Sequence, residues 1–331
     1  MLRQCLLSLL IFIATTTLAF ADASFAHRPD VQRFIQMMVN KHGFKKSQLV
    51  ALFTAVKVRP QVMRHVNKPL EKESWKTYQR LFVTEWNTQH GVAFWHKYES
   101  ALHRAEQTYG VPASIIVATI GVETKYGKDT GEFRVIDSLS SIAFSSSKRA
   151  KFFRSELTEF LLLTREQHVN PLKMMGSYAG AIGQPQFMPS SYRYYAVNFS
   201  KSGTTDLMYN EVDVIGSIAN YYKEHGWNTD EPVAIPAVMI DSRYDYLTRK
   251  HTFNKSMSLK ELAKYGIFPR RPISDDNLKV RIIELQSHYS REYWLGFHNF
   301  QVIKRYNPSD LYAMAVYQVA SHIAAAKGTT H

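Results

Sequence analysis

Cysteine is almost absent from this sequence: Cys5 is the only one among 331 residues. It lies in an N-terminal segment that we expect to be removed, so the mature chain would have no thiol, no disulfide and no cysteine metal ligand. A cysteine that carries a lipid anchor follows the apolar part of its signal, whereas Cys5 precedes it. We therefore expect a soluble mature protein without a lipid tether, whose stability comes from packing.

Long apolar segments are absent as well. The N-terminal apolar run covers residues 6–13, which is short of the roughly 20 residues needed to span a bilayer. It follows Arg3 and precedes an Ala-Phe-Ala sequence that ends at Ala21, the pattern of a secretory signal peptide over residues 1–21. Cleavage after Ala23 or Ala26 is an alternative. No later segment is apolar enough to cross a membrane, so the sequence predicts an exported, periplasmic protein.

Acidic residues are too few to balance the basic ones. The chain has 41 Lys and Arg against 28 Asp and Glu, a formal charge of +13, and loss of Arg3 with the signal leaves about +12. Such an excess favours polyanionic partners. Export argues against nucleic acid, whereas cell-wall polymers supply carboxylates and phosphates in the periplasm. The alternative is a generally basic, solvated surface without a selective role.

Hydrophobic periodicity predicts a mainly helical chain. A first helix has apolar residues at helical spacing between residues 31 and 38 and ends at Gly43. Ser47 is a candidate N-cap for a second helix. An almost wholly apolar helix, with Pro112 in its first turn, leads to Glu123. Further helices are predicted at residues 150–166, 212–225 and 311–326.

The pattern changes after Trp227. Residues 233–240 and 279–285 contain β-branched and alternating apolar residues, with prolines between the two segments. They predict a small strand-containing insertion. The predicted organisation is a signal peptide at 1–21, an N-terminal helical region at 22–90, a core at 91–228, the insertion at 229–304 and a C-terminal helix at 305–331. The expected fold class is mainly α, of the α+β type.

Glu123 is the first candidate for chemistry. It lies at the C-terminal end of the apolar helix, between Gly121 and Gly127. Desolvation and the negative end of the helix dipole both disfavour its carboxylate and raise its pKa, as a general acid working near neutrality requires. The alternative is a helix-terminal glutamate paired with Lys125 or another cation.

A second segment, from Gly176 to Ser191, is rich in Gly, Ser, Ala and Pro, which predicts a loop lining a cleft. Small residues allow the backbone to approach a ligand closely. Ser177 and Gln186 offer hydrogen bonds, and three side chains offer apolar faces: Tyr178, Phe187 and Met188. A sugar needs this mixture. The alternative is a tight structural loop between helices.

Four blocks, in this order, resemble the lytic murein transglycosylase B family. They are Gly-Val-Glu-Thr-x-Tyr-Gly at 121–127, Gly-Ser-Tyr-Ala-Gly-Ala-x-Gly through Gln-Phe-Met-Pro-Ser-Ser at 176–191, Ile-Gly-Ser-Ile-Ala-Asn-Tyr-Tyr at 215–222 with His-Gly-Trp at 225–227, and Arg-Tyr-Asn at 305–307 with Tyr-Ala-Met-Ala-Val at 312–316. The resemblance covers nearly all of the mature chain. It implies a lysozyme-like catalytic core with an accessory helical region and a small β-containing domain.

The resemblance also implies roles for particular residues. By position, the catalytic glutamate is Glu123, and the substrate groove contains Ser177, Gln186, Phe187, Tyr221, Asn307 and Tyr312. Tyr222 is an alternative to Tyr221. Asn307 and Tyr312 also have alternative interpretations, as a helix cap and a core aromatic.

The chain departs from the family at one loop. Some members carry an EF-hand-like calcium loop, which places carboxylates at alternating positions before its glycine. Here those positions hold Asn198, Ser200 and Ser202, with Lys201 among them. Asp206 and Asp213 alone make a poor calcium site, so we expect a turn without a metal, and no cofactor.

The reaction implied by the resemblance is non-hydrolytic cleavage of the β-1,4 bond between N-acetylmuramic acid and N-acetylglucosamine in peptidoglycan. Glu123 would protonate the glycosidic oxygen and then deprotonate the C6 hydroxyl, giving a 1,6-anhydromuramic acid end. A hydrolytic muramidase would need a second carboxylate, for which Asp137 and Glu132 are candidates. A catalytically inactive wall-binding scaffold is the third alternative. The expected partners are glycan strands, with other cell-wall proteins as further candidates.

Overall fold

The computed structural model describes residues 24–66, 73–244, 246–247, 255–286 and 291–328. The predicted signal peptide and Cys5 lie outside them. The described residues up to Val56 form one compact unit, and those from Lys57 onward form a second. Within the described parts of the chain, no helix is long and apolar enough to cross a membrane.

The first unit contains a short 3₁₀ helix at Phe25–His27 and helices α1 (Pro29–His42) and α2 (Lys46–Thr54). The predicted spacing is confirmed, since α1 buries Val31, Phe34, Ile35 and Met38, and Gly43 ends it with a φ of +66°. The cap predicted for the second helix is wrong. The chain leaves its extended conformation at Lys45, so Ser47 lies inside the first turn of α2 and caps nothing.

The second unit is built mainly from helices. They are α3 (Pro60–Val66), α4 (Trp75–Phe82), α5 (Glu85–Lys97), α6 (Glu99–Tyr109), α7 (Ala113–Thr124), α8 (Val135–Ala143), α9 (Ala150–Glu166), α10 (Pro189–Tyr195), α11 (Glu211–Glu224), α12 (Leu259–Ala263), α13 (His298–Tyr306) and α14 (Asp310–Gly328). The predicted helices correspond to α7, α9, α11 and α14.

Helix α7 forms the centre of the second unit. Ten of its twelve residues are buried, because a helix that is apolar on every side is stable only when other elements surround it. Helices α5, α6, α11 and α14 pack around it. Pro112 is the N-cap of α7 rather than part of its first turn, because its ψ of 136° is extended. The surrounding helices fix the position of α7 and therefore of Glu123 near its C-terminal end.

The described part of the chain contains seven short strands in addition to the helices. Strands β1 (Phe133–Arg134) and β2 (Met175–Gly176) pair with each other. The other five are β3 (Ala234–Met239), β4 (Met257–Ser258), β5 (Ile267–Pro269), β6 (Lys279–Gln286) and β7 (Arg291–Gly296), in the antiparallel order β4-β6-β7-β3-β5. The two predicted strands are β3 and β6. A small sheet within a mainly helical chain confirms the predicted fold class.

The five-stranded sheet has its own small core. Leu259 and Leu262 of α12 pack with Val280, Ile282 and Leu295 on one face of the sheet. The opposite face carries the alternate residues, because successive side chains of a strand point to opposite sides.

The polypeptide enters and leaves the sheet at a single place, here called the neck. Ala234 and Gly296 are register partners there. Beside them, the buried side chain of Asn299 donates from Nδ2 to the carbonyl oxygens of Asn228 at 2.6 Å and Glu231 at 2.7 Å. It also accepts the backbone N–H of Asn228 at 2.9 Å. The hydrogen bonds of Asn299 therefore join α13 to the segment that follows α11.

Candidate active site

Glu123 lies in the last turn of α7, where the helix ends abruptly. Lys125 and Tyr126 adopt left-handed conformations with φ of 51° and 60°, and Gly127 follows with φ of 82°. A Cβ on Gly127 would lie only 2.9 Å from the side chain of Gln184, so the position requires glycine for space as well as for its φ. This turn reverses the chain immediately after Glu123 and keeps the end of α7 open to a cleft.

The environment of Glu123 favours the protonated carboxyl group. Burial raises its pKa to about 7, and the hydrogen bond from Tyr312 acts in the opposite direction. The Tyr312 hydroxyl donates to Glu123 Oε1 at 2.5 Å. Among the described residues, no Lys, Arg or His side chain forms an ion pair with Glu123, and Lys125 is exposed. The alternative interpretation of a Glu123–Lys125 pair is not seen.

Tyr312 is held by a cluster of tyrosines. It is buried on α14, and its ring stacks on that of Tyr306 with centroids 6.3 Å apart. Tyr306 in turn donates its hydroxyl hydrogen to the carbonyl oxygen of Pro185 at 2.5 Å. Burial raises the pKa of both tyrosines well above the ordinary value. Tyr312 therefore keeps its proton and acts as a fixed donor to Glu123.

A cleft of about 910 Å³ opens beside Glu123. Six of the residues predicted for the site line it together: Glu123, Ser177, Tyr178, Gln186, Met188 and Asn307. The cleft thus brings together parts of the chain that are far apart in sequence.

The loop after β2 is fixed by its own polar groups. Ser177 Oγ accepts the backbone N–H groups of Ala179 at 3.3 Å and Ala181 at 3.0 Å, which leaves its hydroxyl hydrogen available to a ligand. Gln186, with φ of 49°, donates from Nε2 to the carbonyl oxygens of Thr130 and Gly183. Its Oε1 can therefore accept a hydrogen bond from the cleft.

The predicted loop is shorter than expected at its C-terminal end. Helix α10 begins at Pro189, because proline suits the first turn of a helix. The Glu156 carboxylate accepts both the backbone N–H and the hydroxyl of Ser190, at 3.0 and 2.8 Å. Residues 189–191 therefore belong to a helix rather than to the loop.

Three of the predicted aromatic residues lie behind the cleft wall and not among the residues that line it. Phe187 is buried, with its ring centroid 5.5 Å from that of Tyr221. Tyr221 donates its hydroxyl hydrogen to the carbonyl oxygen of Arg305 at 2.7 Å. Tyr222, the alternative, pairs its hydroxyl with that of Thr119 at 2.9 Å. All three are placed to support the wall, and a direct contact with substrate stays a prediction.

Several residues that line the cleft are not predicted from the sequence: Arg149, Ala179, Ala181, Glu284, Tyr306, Pro308, Ser309, Asp310 and Leu311. Tyr306 stands in the Arg-Tyr-Asn block beside Asn307, so its position was a usable signal. Glu284 comes from the distant strand β6, and nothing in the sequence around it indicates the cleft.

The carboxylates suggested for a hydrolytic mechanism lie elsewhere. Asp137 is buried and ion-paired with Arg134 at 2.8 Å and Arg59 at 3.3 Å. Glu132 is exposed, and neither lines the cleft. Two other acids of the cleft have cation partners: Glu284 pairs with Arg291 at 3.4 Å, and Asp310 with Lys304 at 2.6 Å. Among the acids lining the described cleft, Glu123 alone has no ion pair.

The calcium-type loop is closed by its own hydrogen bonds. Both carboxylate oxygens of buried Asp213 accept backbone N–H groups, from Ser200 at 2.7 Å and from Asp206 at 3.0 Å. The hydroxyls of Ser200 and Ser202 accept from the Asn210 amide at 3.0 and 3.2 Å. This donor set does not fit calcium, which prefers several carboxylate and carbonyl oxygens.

Comparison with known proteins identifies the family. Residues 26–321 match the model described as the transglycosylase SLT domain. The chain is 41% identical to membrane-bound lytic murein transglycosylase B of Escherichia coli over 313 residues, which are 92% of this chain and 85% of that protein. The chain belongs to the lytic murein transglycosylase B family.

Solved structures of this family have the same fold. Soluble lytic transglycosylase SltB1 from Pseudomonas aeruginosa is 44% identical, with a TM-score of 0.83 over 91% of this chain and 100% of that chain. Escherichia coli Slt35 in complex with bulgecin A is 41% identical, with a TM-score of 0.84 over 92% of this chain and 95% of that one. Slt35 has also been solved in complex with calcium. The predicted lysozyme-like fold is confirmed, and the protein is an enzyme of the lytic transglycosylase class.

Proposed function

We propose that this lytic transglycosylase cleaves the β-1,4 bond between N-acetylmuramic acid and N-acetylglucosamine in peptidoglycan and leaves 1,6-anhydromuramic acid ends. The observation that carries the proposal is Glu123, the acid of the cleft that has no ion pair and whose pKa is raised to about 7 by burial. A carboxyl group with such a pKa can give and take back a proton near neutrality.

Glu123 performs both proton transfers of the reaction. In the first step its proton passes to the glycosidic oxygen, the C1–O bond breaks, and N-acetylglucosamine leaves with a new hydroxyl group. The carboxylate then takes the proton of the muramyl C6 hydroxyl as that oxygen bonds to C1. The Tyr312 hydroxyl, 2.5 Å from Oε1, stabilises the carboxylate between the two steps. Glu123 is protonated again at the end, and no water is consumed.

The walls of the cleft bind the sugars. Ser177 donates its hydroxyl hydrogen and Gln186 offers Oε1, while Tyr178 and Met188 supply apolar surface for the sugar rings. Asn307 also lines the cleft, next to Tyr306. Phe187 and Tyr221 act from behind by holding the cleft wall in place. An intramolecular C6 hydroxyl requires no second acid to activate water, in agreement with the ion-paired states of Glu284 and Asp310.

Analysis of the product tests the proposal. Sacculi digested by the purified enzyme should release muropeptides that end in 1,6-anhydromuramic acid, one water lighter than the hydrolytic product and resistant to borohydride. Mass spectrometry before and after borohydride treatment distinguishes the two. Mainly reducible ends would show that water attacks C1, and the enzyme would then be a muramidase that also uses Glu123.

We also propose that the enzyme acts in the periplasm after removal of residues 1–21, without a lipid anchor and without a cofactor. Cys5, which precedes the apolar run, supports the absence of an anchor, although the Escherichia coli relative is named as membrane-bound. The intact mass of the protein recovered from the periplasm would give the cleavage site. A mass that includes Cys5 with an attached lipid would contradict this part of the proposal.

A further inference from the structure

A second cavity lies beside the five-stranded sheet and helix α14. It encloses about 530 Å³ and is here called the arginine pocket, defined by Gln79, Arg270, Arg271, Trp294, Tyr317 and Gln318, with further lining from β3 and α14. Trp294 of β7 is the register partner of Ile283 in β6. Ile283 immediately precedes Glu284 in the same strand. Adjacent positions of a strand face opposite sides, so Trp294 of the arginine pocket and Glu284 of the catalytic cleft lie on opposite faces of the sheet.

The charge of the arginine pocket is positive and uncompensated. Arg270 and Arg271 are exposed, and neither forms an ion pair with a described carboxylate. No Asp or Glu lines the cavity, while His322 of α14 does. Two guanidinium groups that line one cavity suit the planar carboxylates of a ligand.

The rest of the pocket suits a peptide. Trp294 and Tyr317 meet edge to face, with ring centroids 6.2 Å apart, and form a half-buried aromatic wall. Gln79 and Gln318 approach each other at 3.5 Å, a long hydrogen bond that a ligand can replace. Their amide groups can donate to and accept from peptide groups, whereas the acyl chains of an anionic lipid would leave them unpaired.

We infer that the arginine pocket binds the carboxylate-bearing stem peptide of peptidoglycan, separately from the glycan in the catalytic cleft. This assignment of the ligand rests on the proposed function, which makes peptidoglycan the substrate. Helix α14 joins the two places, since it carries both Tyr312 and Tyr317. At a rise of 1.5 Å per residue they are about 8 Å apart along the helix axis. Residues of α14 therefore line both the catalytic cleft and the arginine pocket.

Binding of a free stem peptide tests this inference without requiring catalysis. The probe is the tetrapeptide L-alanyl-γ-D-glutamyl-diaminopimelyl-D-alanine, titrated into the whole mature protein by calorimetry. The double variant R270Q/R271Q should raise Kd about ten-fold or more, because it removes two charge-assisted contacts. A matched control, R33Q/K41Q, removes two exposed positive charges from α1 and should leave Kd within about two-fold.

The possible results of these measurements distinguish stem-peptide binding in the arginine pocket from its alternatives. Equal binding by wild type and R270Q/R271Q, or no binding by wild type, would overturn the inference. Loss of binding to phosphatidylglycerol vesicles with peptide binding retained would assign the pocket to lipid instead. R270Q/R271Q should still cleave glycan strands stripped of stems, and should lose activity only on intact sacculi. If neither protein yields anhydro ends but the peptide still binds through the arginines, the proposed function fails and the peptide site remains.

Discussion

The end of α7 and the start of α8 each bury a carboxylate, and the two differ in almost every other respect. Glu123 lies at the C-terminal end of its helix, with a tyrosine hydroxyl as its partner and no cation. Asp137 lies in the first turn of α8, where the helix dipole favours negative charge. Two arginines and the backbone N–H of Lys57, at 2.9 Å, satisfy it. The fold thus prepares one carboxyl group for proton transfer and the other for structural support.

Burial alone therefore does not make a carboxylate functional. What distinguishes Glu123 is that no cation among the described residues compensates its burial, beside an open cleft. Uncompensated burial raises a carboxyl pKa, whereas cations and backbone donors stabilise the charged form. The comparison can be tested by changing each group in turn.

The largest effect is expected at Glu123. E123Q retains the shape of the side chain but removes the transferable proton, so the rate of sacculus digestion should fall about 100-fold or more. Thermal unfolding should show a folded protein. Near wild-type digestion by E123Q would refute the assignment of Glu123 as general acid.

Asp137 should show the opposite behaviour, a loss of stability. D137N removes the charge that Arg134 and Arg59 share, which should lower the free energy of unfolding by about 3 kcal/mol, as measured by urea denaturation. The molecules that remain folded should still digest sacculi. E132Q, at an exposed position nearby, is the control, with an expected change within about 0.5 kcal/mol. Equal stability of D137N and E132Q would remove the distinction between the two helix ends.

The pH dependence of activity tests the role of the hydrogen bond from Tyr312 to Glu123. The first step needs protonated Glu123, so kcat/KM should fall as pH rises through about 7. The Tyr312 hydrogen bond lowers this pKa, so Y312F should raise it and move the alkaline limb of the pH profile to higher pH. An unmoved limb in Y312F would show that another group titrates.

The pH dependence of the free energy of unfolding gives an independent test of the raised pKa of Glu123. Because the pKa of Glu123 in the folded protein, about 7, lies above the ordinary glutamate value of 4.5, the folded state holds a proton that the unfolded state has released between these pH values. The free energy of unfolding should therefore decrease as pH rises from about 4.5 to 7. E123Q should lack this component when the two unfolding curves are compared across that range.

The smallest effect is expected from calcium. Asp213 resembles Asp137, since it lies in the first turn of α11 and both of its oxygens accept backbone N–H groups. It therefore has little to offer a cation, and EDTA or added calcium should shift Tm by less than about 1 °C. A rise in Tm with calcium concentration would show that the loop at 198–213 binds the metal.

Local signals account for what the sequence predicts well. The wholly apolar stretch before Glu123 requires a surrounding layer of helices, and residues 150–166 form α9 with the predicted bounds. Strands β3 and β6 were visible through their β-branched residues. The Gly176 block predicted a cleft wall because its small residues, Ser177 and Gln186 suit close contact with a ligand.

The remaining features depend on tertiary contacts. Glu284 reaches the cleft through the pairing of β6 with β7, and Arg149 reaches it from the start of α9. Neither has a distinctive local sequence. The sequence also does not reveal that Phe187 and Tyr221 lie behind the cleft wall. An aromatic residue that contacts a sugar and one that supports the wall from behind have the same sequence pattern. Only packing distinguishes them.

The neck of the five-stranded sheet determines how the sheet is connected to the helices. Ala234 and Gly296 are directly paired, and the N–H of Phe297 donates to the carbonyl oxygen of Val233 at 3.0 Å. Paired residues of antiparallel strands lie about 5 Å apart, so a short connection would bridge them. A short connection could therefore replace the residues between Ala234 and Gly296 while Asn299 keeps α11 and α13 joined. The covalent connection of the sheet to the helices that hold Glu123 thus runs through one pair of adjacent residues.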